Sequence, residues 1–188
     1  MRHAFTLLIA LLLATPAYCG APLAQSLKQS QTDELDKLFA QLRQPATGSA
    51  SLLVEPNIWY LWTQAGTPDQ NKQLETATDA MNRANFAEAL EKLNVLIGQT
   101  QSFPEAYNKR ATLYFLMGRF DESLVDIVKT LDLEPRHFGA LAGRGMIYQK
   151  QGKTADALRA FKEALSINPN STGAKLSVLQ LEKLLPEL

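Results

Sequence analysis

The chain contains very little cysteine and histidine, with one Cys and two His among 188 residues. Cys19 and His3 lie near the start, so His137 is the only residue of either type further along. A Cys/His zinc site, a disulfide framework, a cysteine nucleophile and a covalently attached haem all lack their residues. We therefore expect no metal and no cofactor, and assign no catalytic residue, since an enzyme here could use only carboxylate or hydroxyl chemistry.

An excess of charge of either sign is also lacking. Lys plus Arg and Asp plus Glu number 19 each, so no overall basic field would attract nucleic acid. No later apolar run approaches the roughly 20 residues that a transmembrane helix needs. We expect neither nucleic-acid binding nor a stable membrane span.

Residues 1–19 have the pattern of a secretory signal peptide. A short basic start, MRH, precedes the eleven apolar-rich residues AFTLLIALLLA, and TPAYCGA follows with a helix-breaking proline and small residues. Cleavage after Cys19 would release a periplasmic protein. Lipid anchoring at Cys19 is disfavoured, because the bulky Tyr18 precedes it and no Leu lies three residues before it.

The rest of the chain repeats itself with a period of 34 residues. This shift aligns Ala106 with Ala140, Tyr114 with Tyr148, Gly118 with Gly152 and Pro135 with Pro169. Each unit carries two apolar stripes at helical spacing on either side of a turn, which predicts a pair of helices. Neither helix can bury its stripe alone, so successive pairs must stack into a solenoid.

This pattern resembles the tetratricopeptide repeat, whose motif is W-x2-L-G-x2-Y, then A-x3-F, then P. The third unit matches it with Leu141, Arg144, Gly145, Tyr148, Ala157, Phe161 and Pro169, and the second with Tyr107, Arg110, Ala111, Tyr114, Ser123, Ile127 and Pro135. The resemblance implies an all-α fold, a solenoid of helical hairpins wound into a right-handed superhelix with a capping helix.

Six segments follow from this interpretation. They are a signal peptide (1–19), an N-terminal helical pair forming a divergent repeat (20–69), a degraded first repeat (70–103), a second repeat (104–137), a third repeat (138–171) and a C-terminal capping helix (172–188). The capping helix would bury Leu176, Leu179 and Leu184 and turn a polar face outward. As a whole the chain resembles exported tetratricopeptide proteins of alphaproteobacteria, which implies a non-catalytic periplasmic scaffold for cell-envelope upkeep.

The glycines near residue 140 do not form a dinucleotide loop. Gly143-x-Gly145 lacks a third glycine and a preceding strand. Gly145 aligns with Ala111, where two helices approach closely and only a small residue fits. His137 lies in a connector, where an imidazole can cap a helix or remain in water.

Two further groups also have structural interpretations. Arg110 is expected to pair with Asp126 on the partner helix. Trp59 and Trp62 lie one turn apart, which favours a buried helix seam over stacking on a ligand.

Gly139 and Gly143 are harder to explain, since each glycine inside a helix costs about 0.5 to 1 kcal/mol relative to alanine. A bare helix stripe lets a partner's backbone or helix come close. We therefore predict a partner-binding groove on the first helices of the second and third repeats, formed by Glu105, Asn108, Lys109, Thr112, Phe115, Gly139, Ala142, Gly143, Met146 and Gln149. The alternative is that another part of the chain, such as its first helix, packs there, or that the glycines are drift.

Three functions remain open at this point. The first is a non-catalytic scaffold that binds a peptide, helix or partner domain in this groove. The second is an accessory factor or weak hydrolase acting on peptidoglycan through acids such as Glu88, Glu91, Glu122, Asp126 and Asp156, most of which fall on exposed helix faces. The third is a self-associating scaffold.

A clamp for a chaperone's C-terminal carboxylate is disfavoured, because Leu74, Thr78, Gly139 and Gly143 replace its Lys and Asn residues and only Lys109 fits.

Overall fold

The computed structural model describes residues 20–44 and 52–184. Over these ranges the chain forms nine helices and no strand, which confirms the all-α prediction: α1 (Gly20–Leu42), α2 (Val54–Thr63), α3 (Pro68–Asn82), α4 (Phe86–Gln99), α5 (Pro104–Leu116), α6 (Phe120–Leu133), α7 (Phe138–Lys150), α8 (Thr154–Ile167) and α9 (Thr172–Leu184). None of the helices described is both long and apolar enough to cross a bilayer. The predicted signal peptide, with Cys19, lies outside the described residues.

Three consecutive hairpins, α3–α4, α5–α6 and α7–α8, form the body of the array. Their turns need a left-handed residue, and Gly118 (φ 72°) and Gly152 (φ 71°) supply it in the second and third hairpins. Ala84 (φ 56°) takes this role in the first. A non-glycine residue there costs roughly 1 to 2 kcal/mol, so the first hairpin departs from the repeat pattern at a cost in stability.

Small residues set the distance between the two helices of a hairpin. Ala77, Ala111 and Gly145 occupy equivalent places one period apart, and all three are buried. A Cβ at Gly145 would fall 2.9 Å from the ring of Phe161 on α8. The close-approach interpretation of Gly145 is therefore confirmed.

The α1–α2 hairpin differs from the expectation of a fourth, stacked repeat. Its buried residues share a core with Phe138 and Ile167, which flank the connectors before α7 and after α8, whereas the first repeat forms a separate core with Phe103. The hairpin therefore lies along the edge of the array, across the ends of the second and third repeats. The apolar stripe of these two helices predicts that they are buried, but it does not indicate which surface of the protein covers them.

The packing of α9 also differs from the expectation. This helix covers the last repeat with Ala174, Val178 and Leu181, which join the core of Ala157 and Phe161. The leucines expected inside, Leu176, Leu179 and Leu184, are instead 55%, 56% and 65% exposed. Because α9 has apolar residues on both sides, their spacing alone does not indicate which side is buried, and the prediction was wrong.

Candidate functional site

The predicted groove residues separate into an open group and a covered group. In the open group, Phe115, Ala142 and Gly143 are half-buried, and Thr112, Met146 and Gln149 are exposed. Most of them line a cleft of about 150 Å³ between α5 and α7, together with Ile127 of α6. We call the surface formed by Thr112, Phe115, Ile127, Ala142, Gly143 and Met146 the α5–α7 cleft.

Gly143 lies at the floor of this cleft. A Cβ built on it would have only one neighbour within 4 Å, the Cδ1 atom of Ile127 at 3.7 Å, which is an ordinary contact. The bare backbone therefore faces open space. Met146, one turn away, is 44% exposed, and Phe115 forms the opposite wall, tilted against Phe120.

Gly139 is covered by the chain itself. A Cβ at this position would fall 2.9 Å from Cζ2 of Trp59 and closer still to Cη2. The indole of α2 thus occupies the space that the missing side chain leaves. Gly139 is half-buried and still lines the α5–α7 cleft, so it is covered only in part, and the segment that covers it is α2 rather than the first helix.

Glu105 must be reassigned, because it is buried with 0% exposure, whereas Asn108 is buried but still lines the α5–α7 cleft. Asn108 Nδ2 donates to Glu105 Oε2 (3.1 Å), and Lys109 Nζ lies 3.4 Å from Glu105 Oε1. A buried carboxylate is costly unless it is paired and hydrogen-bonded. These contacts make Glu105 part of an internal polar network rather than of a partner surface.

His137 is the centre of this network. Its Nδ1 accepts the backbone N–H of Ala140 (3.1 Å) and caps α7, so the neutral ring carries its proton on Nε2 and donates it to Glu105 Oε2 (2.9 Å). Trp62 stacks on the imidazole, with ring centroids 4.0 Å apart and an interplanar angle of 11°. Trp62 is fully buried, and the half-buried Trp59 packs against the same core, which confirms the core interpretation of the tryptophan pair.

Polar contacts also hold the α1–α2 hairpin on the edge of the array. Arg136 donates to Asp36 of α1 (2.6 Å), and its guanidinium lies 4.3 Å from the ring centroid of Phe39. Hydrogen bonds to Glu134 and then to Asp36 raise the pKa of Arg136. Further along, Asn168 Nδ2 donates to Glu55 Oε2 of α2 (2.9 Å). The hairpin is thus tied to the connectors on both sides of the third repeat.

A second, more polar groove lies beside α3. It has a volume of about 560 Å³ and is lined in part by Gln64, Asn71, Lys72, Glu75, Thr78, Asp79 and Lys109. Lys72 donates to Glu75 (2.8 Å), and this hydrogen bond raises the pKa of Lys72 above its ordinary value. Lys109 faces this groove and not the α5–α7 cleft.

The predicted pairing of Arg110 with Asp126 is confirmed. Arg110 donates through Nε (2.7 Å) and Nη2 (2.8 Å) to the two carboxylate oxygens, and through Nη1 to Asn94 (2.8 Å). The hydrogen bonds to Asp126 are the main reason why the pKa of Arg110 is raised. This pair joins the second repeat's helices and also reaches the first repeat.

The chemistry of the described residues is limited. Over 20–44 and 52–184, no group of three or more His, Cys, Asp and Glu side chains is arranged to hold a metal ion. The Glu105–His137 pair has the composition of an acid–base pair, but neither residue has exposed surface. A substrate therefore cannot reach it.

Comparison with known proteins gives three relevant matches. The family model described as tetratricopeptide repeat matches residues 139–171. A tetratricopeptide repeat-containing protein of Rhizobium etli is 33% identical over 156 residues, which cover 82% of this chain and 76% of that protein. DnaJ homolog subfamily C member 3 of Bos taurus is 30% identical over 133 residues, 70% of this chain but only 26% of that protein.

A solved structure with the same fold contains a bound peptide. It is the first tetratricopeptide domain of Spaghetti (RPAP3) bound to the HSP90 peptide SRMEEVD, with a TM-score of 0.60 and 18% identity. The match covers 64% of this chain and 95% of that domain. At this identity the likeness shows the fold alone.

Proposed function

Since this chain belongs to the tetratricopeptide repeat family, we propose that it is a non-catalytic scaffold that binds a peptide or helix of a partner protein in the α5–α7 cleft. Domains of this family are protein–protein interaction scaffolds, and solved neighbours include complexes with peptides. The partner's identity is a separate question. The geometry of the cleft supports it as the place of binding.

The observation that carries the proposal is the open floor at Gly143. Glycine costs a helix about 0.5 to 1 kcal/mol relative to alanine, and nothing in the fold around Gly143 requires it, because a Cβ there would make only one ordinary contact. Close approach of a partner accounts for this cost. Phe115 and Met146 would flank the incoming chain, and a methionine adapts its shape to different apolar side chains.

The neighbouring glycine shows how such a contact is made. Trp59 lies against the bare backbone of Gly139, one turn before Gly143 in the same helix. A large apolar side chain of a partner would lie against Gly143 in the same way, next to Trp59 along the same face of α7. The hydroxyl of Thr112, which lines the cleft and already donates to the carbonyl oxygen of Asn108, would then accept a hydrogen bond from the partner and fix its register.

A hydrolytic function has less support. General acid–base catalysis needs two groups held in a water-poor pocket with substrate access. Glu75 and Asp79, which line the polar groove, are exposed, whereas Asp126 is committed to Arg110 and Glu105 has no surface. We therefore propose a scaffold function and not the hydrolysis of peptidoglycan.

We further propose that the scaffold works in the periplasm, in maintenance or assembly of the cell envelope. The basic, apolar and small-residue pattern of residues 1–19 supports export. Mass spectrometry of the protein from a periplasmic fraction should show a chain that begins at Gly20. A protein that keeps Met1 and stays with the cytoplasmic fraction would contradict export without affecting the cleft.

Capture of a partner tests the cleft itself. Gly143→Gln places a flexible polar side chain on the floor and should abolish capture from periplasmic extract, while the melting temperature stays equal to or above that of the wild type. Val125→Gln is the matched control, because Val125 is 69% exposed on α6 and lies outside the cleft. Equal capture by wild type and Gly143→Gln would refute the proposed site.

A further inference from the structure

The polar side chains that line the α5–α7 cleft offer hydrogen-bond acceptors to a ligand. Among the described residues, those with polar side chains that line it are Asn108, Thr112 and Ser123. The hydroxyl of Thr112 already donates to the carbonyl oxygen of Asn108 (2.9 Å), and that of Ser123 donates to the carbonyl oxygen of Ala111 (2.7 Å). Both hydroxyl oxygens keep lone pairs that can accept. A ligand that matches these groups must therefore bring a donor.

Asn108 supplies an acceptor that has no partner within the protein. The residue is only 7% exposed, and its amide nitrogen donates to Glu105 Oε2 (3.1 Å). Asn108 lines the cleft and Glu105 does not, so the amide oxygen, which points away from the nitrogen, is turned towards the cleft. No donor among the described residues reaches this oxygen, and it is not sealed from solvent. It is therefore open to a ligand.

A purely apolar side chain would be a poor match for this oxygen. Solvent reaches the oxygen in the free protein, but a partner that fills the cleft excludes that water. An acceptor that is buried without a hydrogen bond weakens binding by roughly 5- to 150-fold. The partner's side chain must therefore carry a donor where its apolar part ends.

The size and the charge of the cleft restrict this side chain further. A cavity of about 150 Å³, the volume of the cleft, holds one benzene-sized ring. Phe115, Ile127 and the bare backbone of Gly143 surround it with apolar surface, and none of the described residues that line it is charged. An ammonium or guanidinium group would lose its hydration there without a counter-ion. One six-membered ring with a neutral donor is the side chain of tyrosine.

We propose that the partner inserts a tyrosine side chain into the α5–α7 cleft, an inference that rests on the proposed function and names the side chain the cleft recognises. The ring lies over Gly143, between Phe115 and Met146. The phenolic hydroxyl donates to Oδ1 of Asn108 and replaces the water that the ring excludes. Asn108 then selects tyrosine over phenylalanine.

The repeat register explains why this selection belongs to one place in the array. Asn108 aligns with Leu74 in the first repeat and with Ala142 in the third. Neither of these side chains offers an acceptor. An amide at this position of the second repeat alone therefore gives the α5–α7 cleft a polar group that the period does not require.

An NMR titration of the isotope-labelled protein with two matched ligands tests the proposal. N-acetyl-tyrosinamide and N-acetyl-phenylalaninamide differ only in the hydroxyl group. Both should shift the amide signal of Gly143, and neither should shift that of Gly173, a glycine of α9 outside the cleft. The tyrosine derivative should bind on the order of 10-fold more tightly, because only its hydroxyl can donate to Asn108.

Asn108→Leu removes the acceptor and introduces the residue that the first repeat has at this position, Leu74. In this variant the preference for the tyrosine derivative should be lost, while the phenylalanine derivative still shifts Gly143. Because the substitution also removes the hydrogen bond to Glu105, the melting temperature of the variant is measured as well. The comparison of the two ligands in the wild type is decisive even if the variant does not fold.

The outcomes separate this inference from the proposed function. Equal affinity of the wild type for the two derivatives, or a preference for tyrosine that survives in Asn108→Leu, overturns the proposal. Absence of any shift at Gly143 with either ligand overturns it too. Capture of a partner that is lost in Gly143→Gln would still support the cleft in each of these cases, so the two claims fail by different measurements.

Discussion

Gly139 and Gly143 allow a matched test of where α2 lies. Both are helical glycines of α7, one turn apart, and both gain about 0.5 to 1 kcal/mol of helix propensity when replaced by alanine. Their surroundings differ: the new methyl group would meet only Ile127 at 3.7 Å in one case, and the indole of Trp59 at 2.9 Å or less in the other. The two substitutions should therefore shift stability in opposite directions.

The magnitudes follow from these distances. Gly143→Ala should stabilise the protein by about 0.5 to 1 kcal/mol, which for a chain of this size raises Tm by roughly 1 to 4 °C. Gly139→Ala must displace the ring of Trp59, and overpacking of this kind costs about 1 to 3 kcal/mol. After the propensity gain is subtracted, a net loss of up to about 2.5 kcal/mol remains.

Thermal unfolding followed by circular dichroism measures both variants. Trp59→Ala provides the control background, because Gly139→Ala should become stabilising once the indole is absent. If Gly139→Ala stabilises the wild type as much as Gly143→Ala does, Trp59 does not lie on Gly139. The described position of the α1–α2 hairpin would then be wrong.

Three further substitutions test the packing and the buried network. Gly145→Ala should lose up to about 2.5 kcal/mol in thermal unfolding, because the ring of Phe161 must move at a cost that exceeds the gain in helix propensity; a raised Tm would contradict the close approach. Asp126→Asn should lower the free energy of unfolding in urea by about 1.5 to 3 kcal/mol, since the paired charge of Arg110 is left without its carboxylate, and a change below about 0.5 kcal/mol would place this pair with ordinary surface pairs. His137→Ala should be less stable than His137→Asn by about 1 kcal/mol, because asparagine can still cap α7; equal stabilities would exclude the cap as a contributor.

The periodic part of the fold could be predicted from the sequence. The 34-residue register fixes which residues meet within the array, so the helical hairpins, the close approach at Gly145 and the Arg110–Asp126 pair all follow from local spacing. The hairpins and the small residue at the close approach recur at aligned positions of the neighbouring repeat, but the ion pair does not, since Asp126 aligns with Ala160 and Arg144 pairs with Glu163. A contact that recurs in several repeats can be recognised in the sequence from its aligned residues.

The contacts of the α1–α2 hairpin could not be predicted in this way. Trp59 meets Gly139, and Glu105 meets His137, across separations in sequence that no period connects. A glutamate in the first turn of a helix usually faces water, where it favours the positive end of the helix dipole. Here Glu105 is instead buried and paired with His137, whose ring is stacked on Trp62.

The orientation of α9 could not be predicted from the sequence for a different reason. Periodicity identifies that Leu176 and Leu179 share a stripe, and it identifies Ala174, Val178 and Leu181 equally well. On the buried side, Ala174 and Val178 are smaller than leucine and let α9 approach α8 closely, while Leu181 fills the core beside them. Size complementarity with the neighbouring helix therefore decides the orientation.

Photo-crosslinking in cells tests the central claim, that a partner protein binds in the α5–α7 cleft, most directly. A photoreactive p-benzoylphenylalanine in place of Met146, at the edge of the cleft, should give one discrete protein adduct on irradiation. The same residue in place of Val125, on the exposed side of α6, should give none, and Gly143→Gln should remove the adduct formed from position 146. No adduct at position 146, or the same adduct from position 125, would contradict the account.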